Sequence, residues 1–385
     1  MMYDAIVLGL GAMGSAAAQH LAQRHKKVLG IEQFTPPHDK GSSHGGTRMI
    51  RQAYFESLAY IPLVLRAYEL WEKLETDTGA QLLTITGGLI LGCPRSPLVT
   101  GGITAAEKHG IKYSVLNPAE IRDRFPAITP LESDVAVYEE LAGYLRPEEC
   151  IRAQLKVAAQ SEAELHLNEK VTGWTAESDR VQVKTERATY EAERLVIAAG
   201  PWANEVLRQF LPLRVTRQVM TWIQPQGGIE HFLPHHFPVF LCESPEGGRP
   251  GYGFPAIDGP SGGVKAAIHG SDVECTPETV DRAIHEIDCG EVIRNLRPRF
   301  PALDGEILKA QTCLYTMTPD EHFVIGPHPQ FPAVNIACGF SGHGFKFAPV
   351  VGEILADLAT ASTTQHSIEI FSPMRFLNST NKVSS

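Results

Sequence analysis

The sequence predicts two domains of different class: an α/β domain of strands and covering helices, interrupted along the chain by a β-rich α+β domain. Three observations carry this. The chain of 385 residues is longer than a single core usually encloses. Strand–helix units stand at both ends, and between them run short strands punctuated by glycine and proline. Residues 4–34, "DAIVLGLGAMGSAAAQHLAQRHKKVLGIEQF", read as an apolar strand, a glycine turn, an alanine-rich helix and a second strand, the pattern of a Rossmann dinucleotide unit.

In that unit Gly9, Gly11 and Gly14 form G-x-G-x-x-G between strand and helix. Gly9 permits the tight turn, Gly11 lets a pyrophosphate approach the backbone, and Gly14 lets helix and sheet pack closely. The helix N-terminus offers free N–H groups to the phosphates. Glu32 closes the second strand, where a carboxylate accepts hydrogen bonds from an adenosine ribose. The motif serves FAD and NAD alike, so a flavoenzyme and an NAD-dependent dehydrogenase both stand at this point.

The remaining elements follow in order. Residues 35–56 form a loop rich in specific donors, including Arg48 and Arg51. Apolar residues three and four apart predict a helix over 57–79. "LLTITGGLILG" alternates as a hairpin would, with Gly87-Gly88 at its turn. Residues 147–160 predict a helix with Pro147 in its first turn. "LVIAAG" is a buried strand meeting Gly200, and a further helix is expected around 279–301. Cys313 sits in a strand-like run, and the last segment is a strand, a glycine-dense turn and a helix. The expected α/β domain takes residues 1–84, 146–216 and 311–385, and the second domain takes 85–145 and 217–310.

Composition narrows the function. A net charge of −10 argues against nucleic acid or an anionic membrane as partner, since both require a basic footprint. No apolar run reaches the ~18 residues of a membrane span. The N-terminus lacks the basic region of a signal peptide. Seven cysteines, scattered and never in C-x-x-C spacing, suit reduced thiols in a cytoplasmic protein and not a disulfide frame or zinc site. No metal is expected.

Several stretches, in order over nearly the whole length, resemble the monomeric sarcosine oxidase family, which includes N-methyltryptophan oxidase. They are "GLGAMG", "PPHDKGSSHGGTRMIRQAY", "YGFP" with "VKAAIHG", "CLYTMTPDEHFVIG" and "GFSGHGFKFAP". The resemblance implies a glutathione-reductase-like FAD-binding Rossmann domain with an antiparallel-sheet substrate domain, in a monomer. It also implies oxidation of N-methyl amino acids by O₂ to amino acid, formaldehyde and H₂O₂. Pipecolate-like, fructosyl and other amino acids are alternative substrates.

The resemblance also assigns residues. Cys313 would carry FAD through a thioether; its plain alternative is a buried core thiol. Arg48 and Lys346 would hold the substrate carboxylate, for which a guanidinium fork is well shaped, with Lys346 also at the cofactor. Outside these motifs they would read as a surface ion pair and a solvated lysine. Arg51, one turn from Arg48 if the segment is helical, would tune the flavin or hold Arg48. Lys265 matches a lysine over the flavin face, where a fixed ammonium stabilises reduced oxygen. His269, four residues on in a strand, would share its pocket. Tyr252 and Tyr315 match pocket tyrosines, although tyrosines also fill interfaces between sheets. His44 matches a histidine beside the flavin, with a role in its attachment. Gly342 and Gly344 would approach the flavin pyrimidine ring, and Val171 and Gly200 would touch the cofactor. At Leu241 relatives carry other side chains lining the substrate pocket, which leaves the substrate open.

Overall fold

A computed structural model of the chain describes residues 2–177 and 179–380. Residues 381–385, the end of the expected 311–385 segment, lie outside them. The first sheet has eight strands and is built on Met2–Leu8, apolar on both faces and therefore central. It pairs in parallel with Val28–Glu32 (Ala5 opposite Val28) and with Thr189–Ile197 (Ala5 opposite Arg194). Parallel strands Glu164–Leu167 and Val334–Cys338 extend it on either side. Full burial of a side chain such as Ile6 contributes about 1.5–3 kcal/mol. The helices Ala12–Gln23, Pro147–Gln160 and Ala348–Ala361 cover this sheet. Their contact is close because the facing residues are small: a Cβ on Gly352 would lie 2.5 Å from that of Ala16.

The second sheet has nine strands. Next to one edge, Arg214–Gln224 lies antiparallel to both Val264–Ile268 and Glu306–Met317. One pair departs from the expected antiparallel pattern: Val239–Cys242 runs parallel to Gly88–Gly92, because the two strands come from distant segments and not from a hairpin. Strands Arg214–Gln224 and Glu306–Met317 each straddle an expected domain boundary, at 217 and 311, and pair with one another. A third, three-stranded sheet joins Arg48–Ile50, Gly143–Leu145 and Leu83–Ile85.

Two local expectations change. The hairpin at Gly87-Gly88 does not form, since Leu83–Ile85 pairs in the third sheet and Gly88–Gly92 in the second. Gly87, at φ +72°, is where the chain passes between sheets, and a Cβ there would meet the Tyr138 hydroxyl at 2.3 Å. The helix expected around 279–301 spans only Glu286–Leu296; the preceding residues form an exposed strap. Helices Ile61–Thr78 and Pro147–Gln160 match their expected spans to within a few residues. Among the described residues no helix is long and apolar enough to cross a membrane, and no cluster of His, Cys, Asp or Glu is arranged to hold a metal.

Candidate active site

The glycine turn opens a cleft of about 1710 Å³, counting space continuous with solvent. Gly9 has φ +87°, and a Cβ on Gly14 would stand 1.7 Å from the Gly9 carbonyl oxygen, so strand and helix close on each other here. Gly11 has nothing within 4 Å of its Cβ position and faces the cleft. Glu32 lines the cleft and accepts from the backbone N–H of Leu10 (2.9 Å) and Phe34 (3.1 Å), which fixes its carboxylate. Burial raises its pKa against those hydrogen bonds. Val171, Gly200, Arg48, Tyr315, Gly342 and Gly344 all line the same cleft. Gly342, at φ +81°, also makes room for Tyr315, whose ring would lie 2.2 Å from a Cβ.

Cys313 precedes the cleft-lining Leu314 and is paired with Gln218 of the neighbouring strand. It is buried among Met220 and Trp222. A guanidinium nitrogen of Arg48 stands 3.6 Å from its sulfur and donates to the Ser42 carbonyl at 2.7 Å; the other terminal nitrogen donates to the Thr47 carbonyl at 2.7 Å. A cation at that distance stabilises negative charge on sulfur. Glu148, in the first turn of its helix, pins this loop by accepting from the N–H of Gly45 (2.7 Å) and Gly46 (3.1 Å). Burial pushes its carboxyl up, but the Gly46 N–H, Arg48 and the Gly45 N–H hold it below the ordinary value.

Lys265 is buried and its three protons meet three acceptors: the Gly45 carbonyl (2.7 Å), the Thr47 carbonyl (2.9 Å) and Thr47 Oγ1 (3.1 Å). Burial, then Arg48, depress its pKa strongly. It lines a second cavity, of about 1310 Å³, together with His44 and Glu148. His44 is buried with both ring nitrogens unpartnered, and burial followed by Arg48 brings its pKa down to about 3.

A second pair of cations sits elsewhere. Arg51 is buried and grips Glu56 with one nitrogen 2.7 Å from each carboxylate oxygen. Lys346, also buried, donates to the His343 carbonyl at 2.8 Å. Burial and Arg51 bring its pKa down to about 7 against the pull of Glu56. Both cations lie over the Tyr54 ring, at 4.5 and 5.1 Å from its centre. His269 packs against Tyr252 and Tyr315, whose hydroxyls share a hydrogen bond. Desolvation brings His269 down to about 4, so it is neutral near pH 7. Leu241 lines a small apolar cavity with Arg51 and Met49.

Two expectations are therefore corrected. The partner of Lys346 is Arg51; Arg48 belongs to Cys313. The segment is a strand, Arg48–Ile50, and residues three apart in an extended chain face opposite ways. Lys265 and His269 also part company, because the strand ends at Ile268 and the alternation stops there. Lys265 turns to the carbonyls of residues 45 and 47, while His269 joins the tyrosines. Sequence reasoning missed Tyr54, Glu56, Glu148 and His343. Glu148 carries a signal, an acid in a helix's first turn; the others have none beyond their motifs.

The donor set fits a flavin dinucleotide. One cleft is lined by Glu32, the glycine turn and Arg48, which stands 3.6 Å from the Cys313 sulfur, and the ring nitrogens of buried His44 have no hydrogen-bond partner. Comparison with known proteins agrees. The pattern of the FAD dependent oxidoreductase family (DAO) matches residues 4–358. Monomeric sarcosine oxidase of Streptomyces avermitilis is 48% identical over 375 residues, 97% of each chain. N-methyl-L-tryptophan oxidase of Yersinia pestis is 35% identical, covering 98% of this chain and 100% of the relative. Among solved structures, L-proline dehydrogenase from P. horikoshii superposes with a TM-score of 0.85 at 26% identity, covering 98% of both chains. NikD, an amino acid oxidase, shares the fold with a TM-score of 0.84 at 24% identity, covering 97% of both chains. The chain belongs to the DAO family of FAD dependent oxidoreductases, among its sarcosine and N-methyltryptophan oxidases.

Proposed function

We propose that this chain is an FAD-dependent oxidase that demethylates an N-methyl amino acid of the sarcosine or N-methyltryptophan type, using O₂ and releasing formaldehyde and H₂O₂. The observation that carries the substrate class is the trio of buried Arg51 and Lys346 with half-buried Glu56. Two positive groups against one negative leave a single charge for a carboxylate to neutralise, and the grip of Arg51 on Glu56 shows its nitrogens reaching one. The names of the relatives supply the N-methyl amine.

When bound, FAD supplies the two-electron oxidation of the C–N bond and passes the electrons to O₂. The chain's residues do the rest. Arg51 and Lys346 take the carboxylate. Tyr252, Tyr315 and neutral His269 wall the amine and exclude water. Lys265, fixed by three acceptors, places positive charge where oxygen is reduced. Gly9, Gly11, Glu32, Val171, Gly200, Gly342 and Gly344, which line the cleft, would hold the dinucleotide with Gly14 keeping its turn tight, His44 would flank its ring, and Cys313, 3.6 Å from Arg48, would carry it through a thioether.

The first sheet and its helices form the FAD-binding domain of this proposal, and the nine-stranded sheet the substrate domain. The seven free cysteines support a cytoplasmic setting, and a monomer completes the reading. The test is a panel of sarcosine, N-methyltryptophan, pipecolate, a fructosyl amino acid and glycine, followed by peroxide and formaldehyde release. Formaldehyde from one of the N-methyl amino acids is expected. Peroxide without formaldehyde, or no response to any secondary amine, overturns the proposal.

A further inference from the structure

We propose that Tyr54 and His343 are positioning residues: His343 anchors the Tyr54 ring as the spacer that sets the distance between Arg51 and Lys346. The inference rests on the carboxylate reading above and goes beyond it. Neither residue need touch the substrate.

The Tyr54 ring is fully buried and has two cations over it, the Arg51 guanidinium 4.5 Å and the Lys346 ammonium 5.1 Å from its centre. Each cation is drawn to the ring's negative face, so the ring's orientation fixes both. That orientation is held at the hydroxyl, which is hydrogen-bonded to His343 Nδ1. The direction of the bond follows from the other ring nitrogen. His343 Nε2 lies 3.1 Å from the Glu321 carbonyl oxygen. A carbonyl only accepts, so Nε2 carries the proton. In a neutral imidazole Nδ1 then accepts, and the Tyr54 hydroxyl donates. Desolvation, with Lys346 adding to it, keeps the imidazole neutral near pH 7. The His343 backbone carbonyl meanwhile accepts from Lys346 Nζ at 2.8 Å. One residue thus holds the spacer through its side chain and one cation through its backbone.

The anchor is braced from behind. Glu321 sits in a turn closed by Thr318 Oγ1 donating to the His322 carbonyl at 2.8 Å. Arg375, from the C-terminal helix, holds the same turn through Asp320 (2.7 Å) and the His322 carbonyl (2.8 Å). The second element against the ring is Tyr60, whose ring centre lies 4.9 Å from that of Tyr54.

The test uses the holoenzyme and reads flavin absorbance during titration with methoxyacetate, an unreactive analogue of sarcosine, and with the uncharged methoxyacetamide. Tyr54→Phe and His343→Leu are expected to weaken methoxyacetate about tenfold, the worth of one buried hydrogen bond, and to leave methoxyacetamide unchanged. His343→Asn keeps an acceptor near the position of Nδ1 and is expected to regain most of the loss. With substrate, the effect is expected in KM and not in kcat. Tyr54→Phe binding methoxyacetate like the wild type overturns the inference. So does His343→Asn binding no better than His343→Leu, or equal loss of both ligands. Tyr54→Phe removes a single oxygen and keeps the test open if His343→Leu does not fold. Lys346→Met at pH 6, where Lys346 is charged, separates the two readings: wild-type methoxyacetate affinity in that variant at that pH removes the carboxylate site itself.

Discussion

Replacing Lys346 by methionine is expected to abolish the pH dependence of carboxylate binding. Burial, reinforced by Arg51, brings the Lys346 ammonium down to about 7. The sign follows from a depressed base: the group is charged below pH 7 and neutral above it. A carboxylate ligand that stays ionised throughout therefore binds tightest at pH 6 and loses affinity through pH 7. At higher pH a plateau remains, set by Arg51. Bare attraction between unit charges 4 Å apart is about 4 kcal/mol at an effective dielectric of 20. Desolvating the incoming carboxylate offsets part of this, and a hydrogen bond to a charged group typically contributes about 1.5–3 kcal/mol. The Kd for methoxyacetate should then rise by about 10- to 150-fold between the acid and alkaline plateaus. Titration of the holoenzyme from pH 6 to 9, followed by flavin absorbance, measures it directly. In Lys346→Met the profile should be flat at the wild-type alkaline value. A flat wild-type profile, or a slope that persists in the variant, refutes the reasoning.

Other substitutions test other parts of the site. Lys265→Met strips the donor from the Gly45 carbonyl and from both oxygens of Thr47. It should slow oxygen consumption by substrate-reduced enzyme about 10²–10³-fold and leave anaerobic reduction little changed; stopped-flow measurement of an unaltered oxygen reaction would falsify its role. Gly14→Ala sets a methyl 1.7 Å from the Gly9 carbonyl, backbone against backbone. It should destabilise the fold by about 1–3 kcal/mol or more and lower the FAD content. A wild-type urea midpoint with full flavin occupancy would contradict the packing argument.

What could be read in the sequence divides along a physical line. The dinucleotide turn was legible because its three glycines and Glu32 act within one local unit, where each residue's reason is set by its near neighbours. Helix 147–160 was legible for the same reason. The meeting of Arg48 with Cys313 links residues 265 positions apart. It depends on the pairing of Glu306–Met317 with Arg214–Gln224, which local spacing does not reveal. The different neighbours of Arg48 and Arg51 turn on whether residues 48–51 are helical or extended, a choice made by pairing of Arg48–Ile50 with Gly143–Leu145. The family motifs point to both arginines, while strand parity decides what each meets: Cys313 for Arg48, and the Tyr54 ring shared with Lys346 for Arg51. His343 and Tyr54 were hidden further, because their part rests on a tautomer fixed by a backbone carbonyl from another turn.

In the proposed enzyme one FAD would lie along the N-terminal glycine turn, bonded to the sulfur of Cys313 beside Arg48. Intact mass measurement of the denatured protein tests this most directly. The chain is expected to be heavier by one FAD less two hydrogens, and the Cys313→Ser variant to have the mass of the bare chain. A bare-chain mass for freshly prepared wild-type protein, or an adduct that survives Cys313→Ser, would contradict it.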